Sequence, residues 1–136
     1  MSEFTMNGET YQARKLSAMD QFHLGRKLAY VLAFLAKQED RATLAEAFPR
    51  AFTAMSGHIS KEDMDEVTRT CWGAVSRRQP TGWAPVAPNG VLMFADIDDL
   101  KSMLTVMWQV LQANGLIDFF AEPLSASGTG TTAAIG

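Results

Sequence analysis

Apolar and polar residues alternate through "EFTMNGETYQARKL", on either side of Asn7-Gly8. A period of two marks a half-buried strand, and Asn-Gly is the pair that best tolerates the positive φ angles of a tight hairpin turn. The pattern predicts strands near 3–6 and 9–14. Two strands alone are marginal in water, so the hairpin must pack on something else.

The period then lengthens. In "SAMDQFHLGRKLAYVLAFLAK", Leu24, Leu28, Val31 and Leu35 recur at spacings of four, three and four, which is one face of a helix. Phe22, Ala29, Leu32, Ala33 and Phe34 widen that face, so the segment predicts a central, buried helix. Ser17 opens it as N-cap, with Asp20 three residues on. "EDRATLAEAFPRAFTAMSG" carries Leu44, Phe48, Phe52 and Met55, with Pro49 inside the pattern. Proline lacks the backbone donor and clashes with the carbonyl four residues back, so a kink or two short helices are expected. "ISKEDMDEVTRTCWGAVSRR" has clear helix-start chemistry: Ser60 as N-cap, Asp63 at the third helical position, and Ile59 with Met64 as a hydrophobic staple. Acids at 62, 63, 65 and 66 and bases at Arg77 and Arg78 match the helix dipole. The apolar face is Met64, Val67, Cys71, Ala74 and Val75.

"QPTGWAPVAPNG" reads as a long loop, because Pro80, Pro85 and Pro88 with Gly82 and Gly90 oppose regular structure. "VLMFA" then predicts a short strand near 91–95 that could join the hairpin as a third. "DIDDLKSMLTVMWQVLQANG" predicts the last helix, with Asp96 as cap, Asp99 at the third helical position and Asn114-Gly115 at its end. Leu100, Leu104, Met107 and Leu111 form one face; Met103, Val106 and Val110 form a second. A helix apolar on two faces is either buried between layers or presents one face to another protein. "LIDFFAEP" is apolar and can dock back, and "LSASGTGTTAAIG" has nothing to bury. The expectation is a mainly α fold of four to five helices with a small N-terminal β-hairpin. It forms one domain over 1–123, followed by a disordered tail over 124–136.

Length and charge narrow the function. The 136 residues fit one domain. A net charge of −3 gives no drive toward a phosphate backbone, so nucleic acid is not an expected partner. One cysteine, Cys71, permits no intrachain disulfide and suits a reducing compartment. The N-terminus lacks a basic region followed by an apolar run, and no apolar run approaches the roughly 18–20 residues that cross a bilayer, so neither export nor a membrane is expected. The 8 methionines are many for this length, and methionine is over-used on adaptable binding surfaces.

Candidate chemistry is sparse. "DIDD" at 96–99 holds paired carboxylates of the kind that suit hard cations, but the spacing lacks a calcium-loop ligand run and capping already explains it. His23 and His58 have no serine elbow nearby, and Cys71 falls on an apolar helix face where a thiol is inert. One cysteine and two separated histidines make no zinc site. The glycines of the tail follow no strand and open no helix, so they make no phosphate loop. No catalytic residue, metal or cofactor is expected. Trp83 either plugs a gap beneath its loop or stands exposed as an anchor for a partner.

The order of these segments resembles a known family. "GETYQARKLSAMDQFHLGRKLAYVLA", "TCWGAVSRRQ", "GWAP", "NGVLMFADIDDL" and "NGLIDFF" together resemble phage and prophage tail assembly chaperones over about residues 4–121. The resemblance implies a non-catalytic protein of the host bacterial cytoplasm, absent from the mature virion. Such a protein binds the tape measure protein, keeps its long helices soluble and helps bring tail tube protein to it. A minor structural tail component retained in the virion is the alternative. The apolar first helix suits a homo-oligomer or a monomer core alike. A chaperone for amphipathic helices needs an adaptable apolar groove, and methionine supplies one. The candidate partner-binding residues are Trp83, Met93, Met103, Met107, Trp108, Phe119 and Phe120.

Overall fold

The computed structural model describes residues 2–36 and 41–117. In chain order its elements are β1 (Ser2–Met6), β2 (Glu9–Ala13), α1 (Ala18–Lys27), α2 (Ala29–Ala36), α3 (Arg41–Met55), α4 (Lys61–Gly73), β3 (Val75–Gln79), β4 (Gly82–Pro85) and α5 (Leu100–Ala113). Single 3₁₀ turns lie at Ser56–His58, Pro88–Gly90 and Ala95–Ile97.

The hairpin forms where the alternation places it. Asn7 and Gly8 take φ of 56° and 79°, and Phe4 faces Tyr11 across the pair with ring centroids 5.5 Å apart. The rest of the sheet corrects the mainly α expectation. Four antiparallel strands in the order β1-β2-β3-β4 make this a mixed α/β fold.

Both added strands lie where the sequence pattern predicts something else. β3 occupies Val75–Gln79, read from sequence as the last turn of the helix that starts at Ser60. That helix instead stops at Gly73, and the Ala74 N–H donates back to the Cys71 carbonyl at 3.1 Å. The residue before a proline is pushed toward extended backbone, so Gln79 before Pro80 resists a helix. β2 supplies the decisive partner: Ala13 pairs with Val75 and Tyr11 with Arg77. β4 occupies Gly82–Pro85 inside the expected loop, after the two-residue turn Pro80-Thr81. As an edge strand it can hold Pro85, whose missing N–H matters least there. The expected strand at 91–95 does not form among the described residues; Met93 N–H donates to the Val86 carbonyl at 2.8 Å without a ladder.

The helices cover one face of the sheet. Phe4, Met6, Tyr11, Ala13 and Val75 point into the core, while Glu3, Thr5 and Gln12 share the other face with Arg78 and Trp83. α5 lies across β1 and β2 and buries Val106, Met107, Val110 and Leu111 completely. Truncating Met107 or Leu111 to alanine costs roughly 2–5 kcal/mol. α4 packs on α1 and α5, and α3 packs on α2 and α5. Arg77 also lies on the inner face, its guanidinium 4.4 Å from the Phe94 ring centroid and paired with Glu9 at 3.3 Å.

The caps at Ser17 and Ser60 form, each hydroxyl accepting the N–H three residues on, at 3.1 and 3.0 Å. The single central helix expected from Ser17 onward is broken instead: Leu28, with φ −102° and ψ 20°, separates α1 from α2. Leu24, Leu28, Val31 and Leu32 are buried, but Phe22, Ala29 and Ala33 are exposed. α3 runs through Pro49 as one 15-residue helix. α5 begins one turn later than expected, with Asp99 rather than Asp96 at the N-cap position.

Candidate functional site

Cys71, His23 and His58 are each engaged by the scaffold. Cys71 is buried on α4, and burial pushes its thiol up to about 12. A thiol held so far above neutrality is not a nucleophile. The His58 ring stacks on Tyr30 at 4.5 Å, and His23 Nδ1 lies 3.4 Å from the Arg26 guanidinium. Among the described residues no three His, Cys, Asp or Glu side chains converge as metal ligands would.

The larger surface feature is a groove of about 720 Å³ between α3 and α5. Phe48 and Pro49 form one wall; Leu100, Leu104 and Trp108 form the other. These three recur at spacings of four, so they stack in a row along one side of α5. Phe48 and Trp108 are buried at the floor with ring centroids 5.7 Å apart, while Leu100 stands 65% exposed at one end. Lys101, Thr105 and Gln109 bring the polar atoms of the rim. The Pro49 ring adds an apolar surface within α3 and removes a backbone N–H.

A second groove, of about 490 Å³, lies between α1 and the turn that follows α5. Phe22, Gly25 and Arg26 line one side, and Gly115 and Leu116 the other.

The residues singled out from sequence are dispersed. Trp108 lines the α3–α5 groove. Met107, one residue away, is fully buried beneath α5, and Met103 is partly buried against the core. Met93 is 61% exposed on the segment after the Pro88–Gly90 turn. Trp83 does not plug a gap beneath a loop: it lies exposed on the outer face of β4, opposite Arg78, whose guanidinium carbon is 5.8 Å from its ring centroid. Phe119 and Phe120 lie outside the described residues. Phe48, Pro49, Leu100 and Leu104 were not among the candidates, although the four-residue spacing 100, 104, 108 is visible in the sequence. Counting Met107 and Leu111 into that face places the stripe one step around the helix from where it falls.

No helix among the described residues is long and apolar enough to cross a membrane. A family model described as "Phage tail assembly chaperone protein, TAC" matches residues 7–128 of the chain. No curated protein and no solved structure matches it.

Proposed function

The chain belongs to the phage tail assembly chaperone family, and from that premise we propose that it binds the tape measure protein and assists tail tube assembly by binding alone, in the host cytoplasm. The observation that supports this reading is the α3–α5 groove. A row of apolar side chains spaced four apart, set against Phe48 and Pro49, suits an amphipathic helix laid along it. Long apolar helices aggregate unless their faces are covered, and a groove with a polar rim covers them reversibly. Trp108 and Phe48 would act as rigid anchors, since buried aromatics carry much of the energy in such contacts. Trp83 and Met93 offer further exposed area, and Phe119 and Phe120 remain candidates for the same work.

Co-expression with the tape measure protein of the same phage, followed by a solubility assay and pull-down, tests the proposal. The tape measure protein should become soluble and co-purify. Leu104→Asp, which puts a charge inside the groove, should abolish co-purification while leaving the fold intact, because Leu104 is only partly buried. If the tape measure protein stays insoluble, and mass spectrometry finds this chain in purified particles, the alternative of a structural tail component replaces the chaperone reading.

A further inference from the structure

We propose that the outer edge of β1 pairs with a second copy of this chain, the two β1 strands joining antiparallel about Phe4 so that two four-stranded sheets become one. The proposal concerns self-association and is independent of the partner proposed above.

The strand order leaves β1 and β4 as edges. Which backbone groups of β1 point outward follows from the ladder. The Arg14 N–H donates to the Ala74 carbonyl at 2.9 Å, so even-numbered positions of β2 bond toward β3 and odd-numbered ones toward β1. The partners of those odd positions are Ser2, Phe4 and Met6. Glu3 and Thr5 therefore aim their N–H and C=O groups away from the sheet, and both residues are exposed. No described residue bonds to these outward groups. Such an edge templates another extended strand unless a proline, a lysine or a bulge blunts it. β4 is blunted: it has only four residues, and the Pro85 ring stands where an outward N–H would be. β1, Ser-Glu-Phe-Thr-Met, carries none of these devices.

Self-complementarity selects the occupant. A two-fold axis at Phe4 sets Glu3 opposite Thr5 of the other copy, and Thr5 opposite its Glu3. Both are hydrogen-bonded pairs, so every outward group of Glu3 and Thr5 finds a partner. An axis at Glu3 would oppose two carboxylates. An axis at Thr5 would oppose Glu3 to Asn7, whose φ of 56° is that of a turn and not of a strand. Of the three, the Phe4 axis alone uses the whole edge without opposing like charges. On the inner face it sets Phe4 beside Phe4 of the other copy, extending the stacked Phe4–Tyr11 pair into a continuous aromatic row. The helical layer fits as well. α5 lies across β1 and β2, so the two copies of α5 stand about two strand spacings apart, roughly 10 Å, a separation at which helices pack.

Sedimentation equilibrium of the full chain tests this with no other protein present. The expected result is a reversible dimer. Thr5→Pro removes an outward N–H and breaks no bond within the chain, so it should sediment as a monomer with its circular dichroism spectrum unchanged. Thr5→Glu serves should that proline perturb the hairpin. It opposes a second carboxylate to Glu3 at both pairs and should weaken association roughly tenfold. Adding Glu3→Lys to Thr5→Glu turns both repulsions into attractions and should restore the dimer. A wild-type chain that stays monomeric at its highest soluble concentration would overturn the inference. A dimer indifferent to both Thr5 substitutions would do the same, since its interface would lie elsewhere. Failure of Glu3→Lys to rescue Thr5→Glu would sink the Phe4 axis. No measurement here involves the tape measure protein, so either proposal can fail without the other.

Discussion

Lys27 shows how one side chain can join two helices. Its stem is buried between α1 and α4, with its side chain 7% exposed, and its ammonium pairs with Glu66 and, at 3.8 Å, with Asp63. The hydrogen bond and charge of Lys27 hold the Glu66 carboxyl below its ordinary value of 4.5. The folded state therefore binds that proton more weakly than the unfolded chain does. The attraction contributes in full above the ordinary glutamate value and is lost as pH falls through the lowered folded value. Glu66→Gln should accordingly flatten the acid side of the stability curve. Urea midpoints followed from about pH 6 to about pH 3 should fall less for the variant than for the wild type. Equal slopes would mean that the pair contributes nothing to folding. Arg77 illustrates the opposite placement, a charge turned toward the core. Tyr11, Phe94 and Glu9 surround it, so its stem packs as a hydrophobe while its head meets ring faces and a carboxylate.

Elements differ in how plainly the sequence spells them. The β1–β2 hairpin and the helix starts at Ser17 and Ser60 are local: a turn pair or a cap hydroxyl decides them, and each is readable within a few residues. Gly8→Val tests that locality, because φ of 79° is strained for a β-branched residue. It should destabilise the protein by roughly 1–2 kcal/mol in urea titrations, against a near-neutral change at Gly57, which has open space and no positive φ. β3 and β4 are not local. Val75 and Cys71 share a helical spacing, so the run reads as helix until β2 offers Ala13 and Tyr11 as partners. Gly73 and the Pro80 that follows were the available signals, outweighed by the well-formed start of α4. The groove was half legible for a related reason. The apolar character of α5 is plain in its sequence, but which of its two stripes stays uncovered depends on where α3 and the sheet pack. Trp108 could therefore be named as a binding candidate, whereas Phe48 and Pro49 looked like helix core and helix break.

At the scale of the whole molecule, the N-terminal hairpin with the segment after it and α5 hold each other. The Asn114 side chain accepts the Leu16 N–H at 2.6 Å and donates to the Val110 carbonyl at 2.9 Å and the Arg14 carbonyl at 3.3 Å. At the other end of α5, the Asn7 amide donates to the Ser102 hydroxyl at 3.2 Å. Leu16 is buried, so Asn114→Ala leaves its N–H without that acceptor and should destabilise by roughly 1–3 kcal/mol. Thermal melts of Asn114→Ala and Asn114→Asp separate the causes: aspartate keeps the acceptor for Leu16 and should recover part of the loss. These clasps also close the sheet. α1 to α4 are inserted between β2 and β3, so the central strand pair forms across four intervening helices.

That insertion sets a timetable for synthesis. Leu16 and Asn114 are separated by 98 positions, and the hairpin has no helical layer to rest on until α5 arrives. On a ribosome adding roughly 5–20 residues per second, β1 and β2 therefore wait for roughly 5–20 s, plus the time needed to clear the exit tunnel. For that interval Phe4 and Tyr11 are exposed to whatever else is nascent nearby. The sheet is thus covered only once α5 has been translated, and any delay in decoding the α5 codons prolongs its exposure.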